Sequence, residues 1–435
     1  MEVFSLRIRT FFRYVSLNIL GMLGLSCYIL VDTLFVSLAE GAGGLAALNL
    51  AITVYSVIIG LGQMAGVGGG TDYAFRRAEG QSGNASFSAA LAIGAVLSGI
   101  FFFCGLFFVR PISLLLGADS ITLPLTSVYI RVMLLFAPCF ILNVILQAFA
   151  RNDGVPRLAM YSMLLSSGAN IVLDYLFMFP LKLGMFGAAF ATGLSALMSI
   201  LLLLSHFRSK RCTLRFSAHI PPPHALARLL SYGLSALIGE LASAISLLTF
   251  NLLLMRAGGY IAVAAYGVIA NAALVASSIF TGVGQGLQPL ASHAYGAADR
   301  SALRTLRRCT LASVLALSAV IFLGVFVFAR PIAALFNHEG SAALAAIAVP
   351  GLQLYFAGYL FAGINIAAAA YLSATSRPVL ALWISLLRSC LLLIPAALVI
   401  SRLLGITGIW LSFAITEAAV CLLSLPALLR GKPMA

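Results

Sequence analysis

The feature that most limits this chain is a succession of apolar stretches, each long enough to cross a bilayer as a helix. About 20 residues at roughly 1.5 Å rise cover the hydrocarbon layer. Such stretches fall at 11–38, 44–70, 85–109, 121–148, 158–179, 186–207, 229–255, 261–288, 309–329, 344–372, 379–400 and 405–425. With their short connectors they use up the 435 residues, so no soluble catalytic domain is expected. Unpaired backbone in lipid is costly, and these long runs lack the short alternating segments of a membrane barrel. The expected fold class is therefore all-α, an integral membrane protein of twelve transmembrane helices. Composition agrees: 62% of residues are hydrophobic and 9% charged, against about 25% charged in soluble domains.

The net charge of +14 would suit a nucleic-acid partner if it lay on one soluble face. It does not, because the basic residues sit in short loops between apolar runs, and no nucleic-acid role is expected. Of the 26 Lys and Arg, Arg110, Lys182, Arg256, Arg330 and Arg402 fall on one side and Arg131 and Arg388 fall inside spans. All the others fall on the opposite side, which is thereby expected to be cytoplasmic, with both termini. Arg7, Arg9 and Arg13 flank a first helix that reads as retained rather than cleaved. The expected location is a bacterial inner membrane. The 7 cysteines are scattered without a CxxC and read as small buried residues.

The chain repeats itself. Gly60–Gln63 returns as Gly282–Gln285, Tyr73 as Tyr295 and Pro156 as Pro378, each 222 positions on. Arg110-Pro111 returns as Arg330-Pro331 after 220, and Gly184 and Gly187 return as Gly405 and Gly408 after 221. A near-constant offset implies two six-helix lobes of equal topology, 1–207 and 229–435, related by pseudo-symmetry around a central cleft. The basic stretch 208–228, with Pro221, Pro222 and Pro223, reads as the cytoplasmic linker.

Ionisable groups inside spans are candidates for function. The acids there are Asp32, Asp174, Glu240 and Glu417. Counting inward along each helix places Asp32, Asp174, Thr192 and Tyr129 in the outer half of the first lobe. Asn170 lies four residues before Asp174 and shares its helix face. Two carboxylates, an amide, a hydroxyl and a phenol at one depth can hold a proton or a small cation. Two close carboxylates in low dielectric cannot easily both stay ionised, which suits reversible protonation. Arg131, at similar depth, is a candidate counter-ion. The alternative for the whole group is a polar knot that glues helices. In the second lobe Glu240, Arg388 and Glu417 fall near the midplane, as a buried ion network with a titrating acid or as a structural pair. Asn271 and Asn365 read as interhelical hydrogen-bonding groups. No hydrolase triad, phosphate loop or zinc spacing is present, and the 5 histidines (His206, His219, His224, His293 and His338) have no ligand spacing. No enzyme activity and no resident metal or cofactor is expected.

Several stretches carry a resemblance. They are Val31–Val36 with Ala47–Asn49, Ala150–Met160, Asn170–Phe177, Gly184–Ser195 and Gly284–Ala297. Through these the chain resembles the multidrug and toxic compound extrusion family over nearly its whole length. The resemblance implies two six-helix lobes and export of lipophilic, often cationic compounds in exchange for protons or sodium. It puts the first-lobe coupling acids at Asp32 and Asp174, with Asn170, Thr192 and more loosely Tyr129 beside them. It puts a further acid at Glu240. Asn18 and Thr53 stand where many members have proline, and Asn365 stands near an aspartate of one branch. The expected function is a monomeric multidrug exporter of amphipathic or cationic small molecules, embedded in membrane lipid and working by alternating access. The rival from the same superfamily is a flippase for lipid-linked oligosaccharides, whose cleft would need more cations than Arg131 and Arg388.

Overall fold

The computed structural model describes residues 2–119, 122–210, 212–217, 222–336 and 341–429, with side-chain surroundings assigned except at 2–7, 42, 260 and 336. Arg7, Arg211, His219, Pro221, His338, Arg430 and Lys432 therefore lie wholly or by side chain outside the described residues. All regular structure among the described residues is helical. In chain order the spans are α1 (Ile8–Gly41), α2 (Gly43–Ala78), α3 (Asn84–Phe107), α4 (Leu123–Leu135 with Ala137–Asn152), α5 (Pro156–Met178) and α6 (Gly184–Leu204). They continue as α7 (Pro223–Gly259), α8 (Ile261–Gly296), α9 (Arg300–Leu335) and α10 (Ala342–Phe356 with Tyr359–Ala374). The run Pro378–Leu429 breaks at Gly405 (φ 59, ψ −136) into α11 (378–404) and α12 (406–429).

Eight runs are long and apolar enough to cross a membrane unaided, and the two bent pairs bring ten. The other two come from the break at Gly405 and from α5, whose apolar character is diluted by Ser162, Ser166, Ser167, Asn170 and Asp174. The helices outrun the expected spans, and the connection between α1 and α2 is little more than Gly41 (φ 63, ψ −153). That backbone conformation is open only to glycine at low cost. Gly259 (φ 66, ψ −158) makes the same turn between α7 and α8.

Other breaks recur at the repeat offset. Phe108 (φ −116, ψ 14) separates α3 from a short helix, Val109–Leu115, and Phe328 (φ −97, ψ 19) kinks α9. Pro111 and Pro331 follow each break by three residues, and a proline ring clashes with the carbonyl four residues back. α4 bends by 49° at Phe136 and α10 by 47° near Gly358, 222 positions on. The apolar stretches 121–148 and 344–372 show neither bend by themselves. Pro138 explains the first bend, and close packing of Gly358 on Phe413 marks the second.

The chain parts into two compact units, Ser16–Leu241, and Ala242–Ala435 with Met1–Val15. The early turns of α1 and α7 decide this division. In the first unit a Cβ on Gly233 of α7 would meet the carbonyl oxygen of Met64 at 2.1 Å. In the second, a Cβ on Gly286 of α8 would meet Cα of Val15 at 2.8 Å. Met64 and Gly286 are 222 apart, so the two crossings are equivalents in the repeat. Large apolar side chains point outward along the helices, such as Val96, Ile100, Phe103 and Phe107 on α3 and Val320, Leu323 and Val327 on α9. Spacings of three and four place each set on one stripe, which only lipid would solvate cheaply.

Candidate functional site

In the first unit the carboxyl groups of Asp32 (α1) and Asp174 (α5) face each other within interaction reach, both in buried positions. Asn170, one turn before Asp174, donates from Nδ2 to Thr192 Oγ1 at 3.2 Å. Thr192 of α6 in turn donates to the Ala188 carbonyl at 3.1 Å. Tyr129 of α4 lies against Thr192 and within the field of both acids. Four helices therefore bring Asp32, Tyr129, Asn170, Asp174 and Thr192 into one cluster.

The small residues of these helices allow the approach. Gly21 and Gly24 of α1 lie on Met163, Leu164 and Ser167 of α5, and Gly193 of α6 lies on Phe136. The buried oxygens Asp32 Oδ1, Asn170 Oδ1 and Asp174 Oδ1 and Oδ2 receive no hydrogen bond. Buried acceptors are nearly always satisfied, and exceptions call for an explanation. All four belong to residues of this cluster, whose carboxylate, amide, hydroxyl and phenol groups offer oxygen. A hard cation or a proton suits that donor set.

Two residues missed by the sequence reading join the cluster. Tyr28 sits one turn before Asp32, and its hydroxyl lies 3.3 Å from that of Tyr55 on α2. The four-residue spacing to Asp32 was the available signal. Arg131 is not part of the site. It lies with Pro124 and Val128 on the exposed face of α4, away from buried Tyr129, and makes no ion pair among the described residues.

The expected network of Glu240, Arg388 and Glu417 is not formed as a single group. Glu240 belongs to the first unit and accepts from Gln63 Nε2 at 2.9 Å. Arg388 and Glu417 pair in the second unit, Nη2 to Oε1 at 2.7 Å and Nε to Oε2 at 3.4 Å. Asn365 Nδ2 donates to Glu417 Oε2 at 2.6 Å and to the Glu417 carbonyl at 2.9 Å, and its own Oδ1 accepts from Ser424. Arg388 sits in a π-helical turn, Leu387–Leu391, which swings the guanidinium towards α12. Glu417 is thus neutralised and saturated, unlike the two aspartates.

A third cluster lies at the α4–α5 connection. Asp153 Oδ1 accepts from Tyr73 at 2.7 Å and from the Thr213 hydroxyl; Oδ2 pairs with His206 Nε2 at 2.7 Å and accepts from Thr213 N–H at 3.1 Å. Burial alone would raise the Asp153 carboxyl, but the bonds from Thr213, His206 and Tyr73 outweigh it and hold the group below the ordinary aspartate value. The ligand atoms of Asp153, His206 and Cys212 lie within 4.8 Å of one another, a spacing that could hold a metal ion. Asp153 is already saturated by four donors, and burial pushes the Cys212 thiol up, away from the thiolate a metal needs. The cluster reads as a polar latch on the segment after α6. Sequence spacing gave no sign of it, because Tyr73, Asp153, His206 and Thr213 come from four separate elements.

Comparison with known proteins gives a consistent picture. The MatE family model matches residues 18–176 and 236–399. The multidrug export protein MepA of Staphylococcus saprophyticus is 28% identical over 401 residues, covering 91% of this chain and 88% of its own length. MepA of Staphylococcus aureus strain N315 is 28% identical over 399 residues, covering 91% and 87%. A multidrug resistance MATE family transporter of the MOP superfamily, solved in an outward-facing conformation, superposes with a TM-score of 0.90 at 22% identity over 96% of this chain and 94% of that one. A mutant of the Vibrio cholerae MATE transporter VcmN gives 0.90 at 22% identity, covering 99% and 98%. A MOP superfamily transporter from Pyrococcus furiosus, described as having a binding pocket of reverse polarity, gives 0.89 at 22%, covering 98% and 97%.

Proposed function

The chain belongs to the MatE family of multidrug and toxic compound extrusion transporters, and from that premise we propose that it exports amphipathic or cationic small molecules in exchange for protons or sodium ions. The observation that carries the coupling site is the set of four buried oxygens on Asp32, Asn170 and Asp174 that receive no hydrogen bond. A buried carboxylate without donors is costly, so the pair favours any state in which it gains a proton or a cation. The hydroxyls of Thr192 and Tyr129 stand beside it to complete the shell. The paired Glu417 offers no such drive, since Arg388 and Asn365 already neutralise and saturate it. That pairing also occupies one of only two intramembrane cations that could meet a pyrophosphate-carrying lipid, which favours drug export over lipid flipping.

The exchange then follows from differential affinity. Drug and coupling ion favour different conformations, and each shifts the population only by its own difference in binding between them. An ion entering at Asp32 and Asp174 from outside lowers affinity for the drug, which leaves. The reset chain takes up new drug from the cytoplasm or the inner leaflet. We place the termini and the Arg-rich ends of the helices in the cytoplasm, in a bacterial inner membrane, with the chain acting as a monomer. The test is drug resistance in cells expressing Asp32→Asn at wild-type membrane level. Resistance should fall to that of cells lacking the protein; full resistance would sink the coupling assignment.

A further inference from the structure

We propose that the segment 212–217, folded back on the first unit, builds with α3, α4 and α6 a seat for one anionic phospholipid of the cytoplasmic leaflet. The leaflet rests on the orientation proposed above; the seat itself does not depend on transport. The chain leaves α6 through the short helix Ser205–Arg208, and the segment 212–217 carries no regular secondary structure. Its backbone is tied down at three points: Thr213 N–H to Asp153 at 3.1 Å, Arg215 N–H to Asn84 Oδ1 at 3.0 Å and Ser217 N–H to Ser88 Oγ at 2.7 Å. Cys212 and Leu214 enter the hydrophobic core of the unit. Arg215, the residue after Leu214, faces out, and Phe216 beside it is left 76% exposed.

Beneath this strap lies a concavity of about 350 Å³, walled by Phe87, Leu146, Leu204 and Phe207 and bounded by Arg215 and Phe216. Its walls come from the ends of α3, α4 and α6 that carry the Arg-rich connectors, so it opens at the height where acyl chains meet headgroups. An apolar hollow beside an exposed guanidinium has the two parts a phospholipid recognises: room for chain carbons and a cation for phosphate. Arg215 makes no ion pair among the described residues, and Arg208 and Lys210 of the same connector are exposed. This excess of positive charge selects a lipid of net negative charge over a zwitterionic one. A second copy of the chain fits poorly, because a two-fold contact here would set Arg215, Arg208 and Lys210 against their own counterparts.

Native mass spectrometry of the purified full-length protein, offered equal amounts of phosphatidylglycerol and phosphatidylcholine, tests the seat. One phosphatidylglycerol per chain should be retained about fivefold over phosphatidylcholine, the ratio that one interfacial cation provides. Arg215→Gln should bring the ratio to about one, while Arg402→Gln leaves it unchanged. Leu204→Trp, which fills the hollow from an exposed position, should lower retention of both lipids. Equal retention by the wild type, an unchanged ratio in Arg215→Gln, or a dimer that Phe216→Ser dissolves would each overturn the proposal. Asp32→Asn should bind lipid as the wild type does, so loss of efflux with an intact lipid ratio speaks to the coupling site alone.

Discussion

A carboxylate inside a membrane protein is defined by its donors, and the acids here divide on that basis. Asp32 Oδ1 and both Asp174 carboxylate oxygens accept nothing, whereas Glu417 accepts from Arg388 and Asn365. Asp174→Asn should therefore stop ion-driven efflux as fully as Asp32→Asn, at normal expression; transport assays on both variants check this. Arg388→Leu should act on the fold instead. It leaves Glu417 buried and unpaired, at a cost of about 3–5 kcal/mol, while the double change with Glu417→Leu should recover most of it. Thermal unfolding of the three variants decides the point, and a single variant as stable as the wild type would contradict it. Asp153 supplies a pH dependence of known sign. Its carboxyl is held below the ordinary value, so its contribution is present above the unfolded aspartate range and is lost as pH falls through the lower folded value. Asp153→Asn should cost about 2 kcal/mol near neutrality and less in strong acid, read from unfolding at both pH values.

The helices take their ends and bends from a few residues that the sequence repeats. Gly41, Gly259 and Gly405 hold positive φ at turns between spans, and a Cβ on any of them would meet open space. Alanine there should cost about 1–3 kcal/mol through backbone strain alone, whereas alanine at Gly239, in a helix with equally open surroundings, should be neutral or better. A melting comparison of the four variants tests this. Much at this scale was legible in advance: apolar length located the spans, and the offset of Arg110-Pro111 to Arg330-Pro331 foreshadowed paired breaks at Phe108 and Phe328. The bends of α4 and α10 were not legible. Gly358 owes its place to packing on Phe413, a contact that no local pattern encodes. For the same reason depth counting brought Asp32, Tyr129, Asn170, Asp174 and Thr192 together, yet wrongly drew in Arg131. Depth fixes height along a helix but not which face a side chain takes.

At the scale of the whole molecule the repeat makes two units of like topology, and their chemistry differs. The first holds the two unsatisfied aspartates; the second holds a closed ion pair amid stacked aromatic rings, with Tyr355 and Phe413 4.2 Å apart between centroids. The proposed coupling site therefore lies within the first unit. The central claim is that an ion captured by Asp32 and Asp174 drives export. The most direct measurement is drug movement in sealed proteoliposomes under an imposed proton gradient and, separately, a sodium gradient, for the wild type and Asp32→Asn. The account predicts that at least one gradient drives drug against its concentration in the wild type and that neither does in the variant. Gradient-driven transport by Asp32→Asn at the wild-type rate would contradict it.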